Sequence, residues 1–292
     1  MKTLEHYGKV VKNIELKKIT SYHLSGIADT LVIPNSLQQL KELLKYIKEN
    51  NFTYKIIGGG SNLIFDGDYK GILIKLDQFD ELKITKTHIT VGAGYNLIKL
   101  ALKVSKLGLT GMEFATGIPG TVGGAIYNNS GAYKSDMGYI VKKVTVITPN
   151  LEIKTLDNSD LNCHYRTSMF KEYPGYIILC AEIELQQGNK KEILEIIQDR
   201  KKRRLETQPL EYPSAGSVFR NPPNLYAGKL IEDIGYKGFS IHDAMVSDKH
   251  ANFIINKGNA SGKDIIELIE QIKDKVKEKY QIDLILEQEI VK

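Results

Sequence analysis

Apolar residues recur at three- and four-residue intervals at Leu37, Leu40, Leu43, Leu44 and Ile47, which predicts an amphipathic helix over residues 37–50. Ser36 and Gln39 have the spacing of a capping box at its start. A second helix is predicted over 96–106, ending before Gly108, and a strongly charged third over 190–206, which Pro209 and Pro213 bring to a stop. A fourth, over 263–280, presents Ile265, Leu268, Ile269, Ile272 and Val276 on one face, with Ser261 and Asp264 placed to cap it. Short apolar and β-branched runs predict strands at 55–57, 71–76, 88–91, 141–147, 152–156, 177–185 and 253–256. The closing run 282–291 alternates, with Leu284 and Leu286 on one face and Glu287 and Glu289 on the other. Residues 1–20 read as polar and irregular. Many short strands with few helices indicate an α+β fold rather than a doubly wound sheet.

Composition narrows the class. The 292 residues suffice for two domains, and 42% hydrophobic with 26% charged residues is ordinary for a soluble globular protein. The apolar runs are too short to span a bilayer and the N-terminal stretch lacks the apolar core of a secretion signal, so a cytoplasmic location without membrane insertion is expected. Cys163 and Cys180 provide neither a disulfide framework nor a thiolate zinc site, and no cluster has metal-ligand spacing, so no metal is expected. A net charge of +5 suits anionic small molecules but is too diffuse to argue for nucleic acid.

Two glycine-rich segments carry the first chemical signal. Residues 117–133 combine Gly117, Pro119, Gly120, Thr121, Gly123, Gly124 and Ala125 with further small and polar residues. Ile57 leads from a predicted strand into Gly58, Gly59, Gly60, Ser61 and Asn62. Such runs leave backbone amides uncovered, and concave arrays of bare amides bind phosphate oxygens. Neither segment is a phosphate loop or a dinucleotide fingerprint. Two of them suggest a diphosphate ligand.

Elsewhere, Tyr165-Arg166 offers a guanidinium fork suited to a carboxylate or phosphate, although alone it could be an ordinary surface arginine. Ser217 lies among small residues between Pro213 and Pro222, where a hydroxyl could deliver a proton or simply close a turn. Glu289 points inward or to solvent, according to the face its strand buries. Arg204, in a basic run, could meet a diphosphate, and His250 could bind a ligand or pin a loop.

These segments together resemble the UDP-N-acetylenolpyruvoylglucosamine reductases, the MurB family. The resemblance rests on residues 57–62, 117–125 and 165–168, on 213–219 with Asn221-Pro222, on Val246-Ser247 with His250, and on 286–289, all in family order. It implies a two-subdomain FAD-binding domain of the PCMH/vanillyl-alcohol-oxidase type over 1–205, divided near 80, then an α+β substrate-binding domain over 206–280 and a strand over 281–292 returning toward the active site. It implies non-covalent FAD held by the two glycine segments, with NADPH as co-substrate and a UDP-sugar as substrate, in peptidoglycan precursor synthesis. Hydride would pass from flavin N5 to C3 of an enolpyruvyl ether, Ser217 would protonate C2, and Arg166 with Glu289 would polarise the carboxylate. Tyr165, Arg204, Asn221 and His250 would contact substrate, and the enzyme would act as a monomer. The short interval between Arg166 and Ser217 matches the subclass without an extra tyrosine-bearing loop. Asp243 stands where many relatives would carry glycine, and the chain ends soon after Glu289, leaving little to anchor its strand. A related flavin oxidase, or a nucleotide-binding scaffold without activity, would be the competing expectations.

Overall fold

The computed structural model describes residues 3–292; Met1 and Lys2, part of the stretch read as irregular, lie outside the described residues. The chain divides into two compact units. The first comprises the stretch up to Val11 with Thr30–Gly59 and Gly71–Lys201; the second comprises Lys12–Asp29, Gly60–Lys70 and Lys202–Lys292.

In the first unit a five-stranded antiparallel sheet runs in the order Ile153–Asp157, Val141–Ile147, Ile177–Glu184, His88–Gly92, Leu82–Thr85. Its register sets Val144 opposite both Leu156 and Ala181, and Ala181 opposite Val91, all fully or nearly buried. The helix Leu37–Glu49 buries Leu40, Leu43, Leu44 and Ile47, and Leu97–Lys106 buries Leu97, Leu100, Ala101 and Val104. Burial of such side chains contributes about 2 kcal/mol each before chain entropy is set against it. Parallel pairing sets Tyr54 to Ile57 against Ile72 to Lys75.

The second unit has a three-stranded antiparallel sheet, Ser240–Ile241, Ala244–Val246 and Ile254–Asn256. The helix Gly262–Tyr280 buries the predicted apolar face. Ser261 Oγ accepts from the Asp264 amide at 3.2 Å and Asp264 Oδ2 accepts from the Ser261 amide at 2.8 Å, which completes its capping box.

Four local expectations need correction. Residues 4–18 are not irregular: the 3-10 turns Leu4–Tyr7 and Leu16–Lys18 flank the strand Lys9–Glu15. At the first helix Ser36 caps Gln39 as expected, but the Gln39 side chain accepts from the Asn35 amide at 2.9 Å, one residue outside a true box. Only Glu289–Val291 of the closing run forms a regular strand, because the residues before it turn to follow Val218–Arg220 instead. That strand is well anchored: it pairs in parallel with Leu63–Phe65, and the Asp66 amide donates to Val291 O at 2.9 Å. Asp243, the unexpected residue, pins a turn by accepting from the Asn259 amide at 2.7 Å.

Candidate active site

In the first unit Gly58 and Gly59 meet Gly120 and Thr121 to form one cradle. A Cβ on Gly59 would lie 2.8 Å from Gly120 Cα, and one on Gly58 would lie 2.6 Å from Thr121 Oγ1. Real Cβ atoms do not approach that closely, so Gly59 meets Gly120 backbone to backbone and Gly58 packs against the Thr121 side chain, contacts that glycine permits without displacement. Gly117 ends the 3-10 helix Glu113–Gly117, Pro119 follows, and Gly120 adopts φ 125°. Thr121 accepts from the Gly124 amide at 3.3 Å and starts the short helix Val122–Tyr127, which carries Gly123, Gly124 and the buried Ala125. Ile57, 3% exposed, closes the strand that leads into the cradle. Gly60, Ser61 and Asn62 belong to the second unit.

Arg166 also lies in the first unit, with Tyr165, at the tip of a tight turn. His164 N donates to Thr167 O at 2.9 Å and Thr167 N returns to His164 O at 3.1 Å. Arg166 has φ 59°, a left-handed conformation that a side chain disfavours. The turn is tied to the end of the glycine-rich segment. Asn129, 1% exposed, donates to His164 O at 2.8 Å, and the fully buried Ser168 hydroxyl donates to Tyr127 O at 2.7 Å. The Lys171 ammonium donates to Arg166 O at 3.2 Å.

In the second unit Ser217, Asn221 and His250 line one cleft of about 360 Å³. Asn252 holds the chain beyond Ser217 like an extra strand: its amide takes the Phe219 N–H at 3.0 Å and gives to Phe219 O at 2.8 Å. His250 Nδ1 accepts from the Asn252 amide at 3.2 Å, so the neutral ring carries its proton on Nε2. Burial lowers the His250 pKa, which favours that neutral donor form. Asn221 Oδ1 accepts from the Ala227 amide at 3.0 Å at the start of the helix Ala227–Asp233.

Sequence reasoning missed the cleft's cations, Lys229, Lys237 and Lys249. Each has an acidic neighbour on the surface: Asp233 at 2.6 Å, Glu232 at 3.5 Å and Glu211 at 3.7 Å, respectively. Scattered lysines look like solvated surface in one dimension, so no signal singled them out. Arg204 lies in this unit, half-buried, on the helix Lys190–Thr207. Lys249 Nζ caps the end of that helix at Leu205 O, 2.7 Å away. Glu289 heads the C-terminal strand, its amide donating to Asn62 O at 2.9 Å. Ser217 and Glu289 therefore belong to one unit and Arg166 to the other.

Among the described residues no group of three acidic, histidine or cysteine side chains is placed to hold a metal, and no helix is long and apolar enough to cross a membrane. Cys163 and Cys180 are unpaired thiols.

Comparison with known proteins places these features. A family model described as an FAD binding domain matches residues 28–157, and one described as the UDP-N-acetylenolpyruvoylglucosamine reductase C-terminal domain matches 208–291. The solved 6-hydroxy-D-nicotine oxidase from Arthrobacter nicotinovorans, 16% identical over 63% of this chain and 43% of its own, shares the fold with a TM-score of 0.50. Fold and cradle define an α+β protein with an FAD-binding domain followed by a smaller α+β domain.

Nearer relatives are more specific. The UDP-N-acetylenolpyruvoylglucosamine reductase of Anoxybacillus flavithermus is 44% identical over 97% of this chain and 95% of its own length. That of Bacillus subtilis is 43% identical over 97% of this chain and 94% of its own. The crystal structure of the Thermus caldophilus reductase (MurB) superposes with a TM-score of 0.83 at 31% identity, covering 97% of this chain and 99% of that one. The chain belongs to the UDP-N-acetylenolpyruvoylglucosamine reductase family.

FAD is the cofactor of this family, and the residues present fit it. Gly58, Gly59 and Gly120 carry no side chain where the two loops meet, which leaves their backbone amides uncovered for a diphosphate.

Proposed function

We propose that the protein catalyses the NADPH-dependent reduction of UDP-N-acetylglucosamine enolpyruvate to UDP-N-acetylmuramate, as a cytoplasmic monomer in peptidoglycan precursor synthesis. The observation that carries this reading is the cleft of the second unit, where Ser217 and the neutral His250 share a surface with Lys229, Lys237 and Lys249. A hydroxyl in a cleft lined by three lysines and one carboxylate, Glu232, suits an anionic substrate that needs a proton. Exposed ion pairs contribute little, so these lysines can turn from their carboxylate neighbours to a diphosphate at low cost. Asn221, Tyr165 and Arg204 complete the substrate contacts in this reading, and Ile57 to Asn62 with Gly117 to Ala125 hold FAD.

FAD held by the two glycine segments would supply the hydride chemistry, with NADPH as the hydride source and C3 of the enolpyruvyl group as the acceptor. The protein manages the charge left at C2. Arg166 binds the substrate carboxylate through its fixed fork, and Glu289 works beside it to polarise the enolpyruvyl group. Ser217 then gives its hydroxyl proton to C2 and recovers one from solvent.

The test is anaerobic stopped-flow on the S217A holoenzyme. NADPH should reduce the flavin at the wild-type rate, while reoxidation by the enolpyruvyl substrate should fall by roughly 10²- to 10⁴-fold. Reoxidation at the wild-type rate would remove Ser217 from the chemistry.

A further inference from the structure

Gln288 is a polar residue at a core position. It follows Leu284 and Leu286 on the inward face of the closing run and is only 4% exposed. Its carboxamide is fully engaged. Oε1 accepts the Tyr22 hydroxyl at 3.0 Å, and the two N–H groups of Nε2 are shared among the carbonyls of Ala215, Gly216 and Ser217 at 3.1, 3.2 and 3.4 Å. The loop carbonyls can only accept, which fixes the nitrogen end of the amide toward the loop, and the fully buried Tyr22 hydroxyl donates to the oxygen end.

Three successive carbonyls cannot converge on one nitrogen in an extended chain, where they alternate in direction. Gly216, at φ 76°, supplies the curl that makes it possible. The segment leading into Ser217 is thus wrapped around one side-chain amide. The residues beside Gln288 continue the connection. The Glu287 amide donates to Val218 O at 2.8 Å, the Asn62 side chain donates to Glu287 O at 3.2 Å, and the Glu289 amide donates to Asn62 O at 2.9 Å. Gln288 therefore joins the Ser217 loop to the Glu289 strand, while Asn252 fixes the chain beyond Ser217 from the other side.

We propose that Gln288, oriented by Tyr22, is a positioning residue that sets the Ser217 hydroxyl for proton delivery and holds it in register with Glu289. This rests on Ser217 being the proton donor. An apolar side chain of the same size would fill the space but leave three loop carbonyls without their shared donor, freeing the loop to shift. Small displacements of a reacting group carry large rate penalties.

The experiment compares half-reactions of the Q288M, Q288E, Y22F and S217A holoenzymes by anaerobic stopped-flow. Flavin reduction by NADPH should stay within about twofold of wild type in all four. Reoxidation by the enolpyruvyl substrate should slow about tenfold to a hundredfold in Q288M, with a larger solvent deuterium isotope effect, and less in Y22F. Q288E should recover toward acid pH, where its carboxyl takes a proton and regains a donor, an acid-side recovery absent from wild type. If Q288M does not accumulate as holoenzyme, Y22F and Q288E carry the same comparison. The proposal is overturned if S217A blocks reoxidation while the Gln288 and Tyr22 variants reoxidise normally, or if both their half-reactions fall together. Normal reoxidation by S217A would overturn the proton-donor reading and this proposal with it.

Discussion

Arg166 occupies a position that turn chemistry would give to glycine or asparagine. A left-handed φ of 59° costs a residue with a Cβ about 1 kcal/mol, and here it falls on the proposed carboxylate-binding side chain. The turn tolerates it because Asn129 and Ser168 hold the flanking residues. R166N relieves this strain but also removes the stacking of the Arg166 guanidinium on Tyr165, so the melting temperature should change by no more than about 2 °C, while reoxidation by substrate is abolished. A marked fall in melting temperature would show that Arg166 is structural. Gln288 is the opposite case: a polar residue held at a core position. The sequence did not reveal its partners, Tyr22 and the 215–217 carbonyls, because these lie far away in the chain.

At the scale of elements, the cradle makes a steric prediction. Gly59 has no need of an unusual φ, so G59A acts only through the 2.8 Å approach of its Cβ to Gly120 Cα. The loops must part, and G59A should be purified with little flavin, as read from its visible absorbance against its protein absorbance. Wild-type flavin content in G59A would place the diphosphate elsewhere. The C-terminal helix makes a pH prediction. His242 Nδ1 lies 2.9 Å from Asp264 Oδ1, on the carboxylate that caps that helix. The hydrogen bond and charge of Asp264, with Glu267 and Asp243 adding, raise the His242 pKa above 6.5, while hydrogen bonds from Ser261 and His242 hold Asp264 below 3.8 against the opposing effect of its burial. The raised histidine stabilises the fold fully below 6.5 and loses that contribution as pH climbs through its folded value; the lowered aspartate contributes above 3.8 and fades as pH falls through its own. H242Q should thus lower the melting temperature at about pH 5.5 and leave it unchanged at about pH 8.5. Equal losses at both values would show that the ion pair is not the cause. Helices were legible because their apolar stripes and caps are local. The strand Lys9–Glu15 was not, since its partly exposed residues show no clean alternation.

Across the whole molecule, the two glycine segments and the order of motifs were legible, whereas the cleft was not. Ser217, His250 and the lysines at 229, 237 and 249 are brought together only by folding, and the lysines carry no motif. The anchoring of the C-terminal strand on Leu63–Phe65 likewise depends on a pairing between distant parts of the chain, which periodicity cannot reveal. The central claim is that this protein reduces an enolpyruvyl UDP-sugar through FAD. The most direct measurement follows NADPH oxidation by the purified yellow holoenzyme with and without UDP-N-acetylglucosamine enolpyruvate. Oxidation that depends on that substrate and yields UDP-N-acetylmuramate is the predicted result; a flavoprotein whose NADPH oxidation ignores the substrate would contradict it.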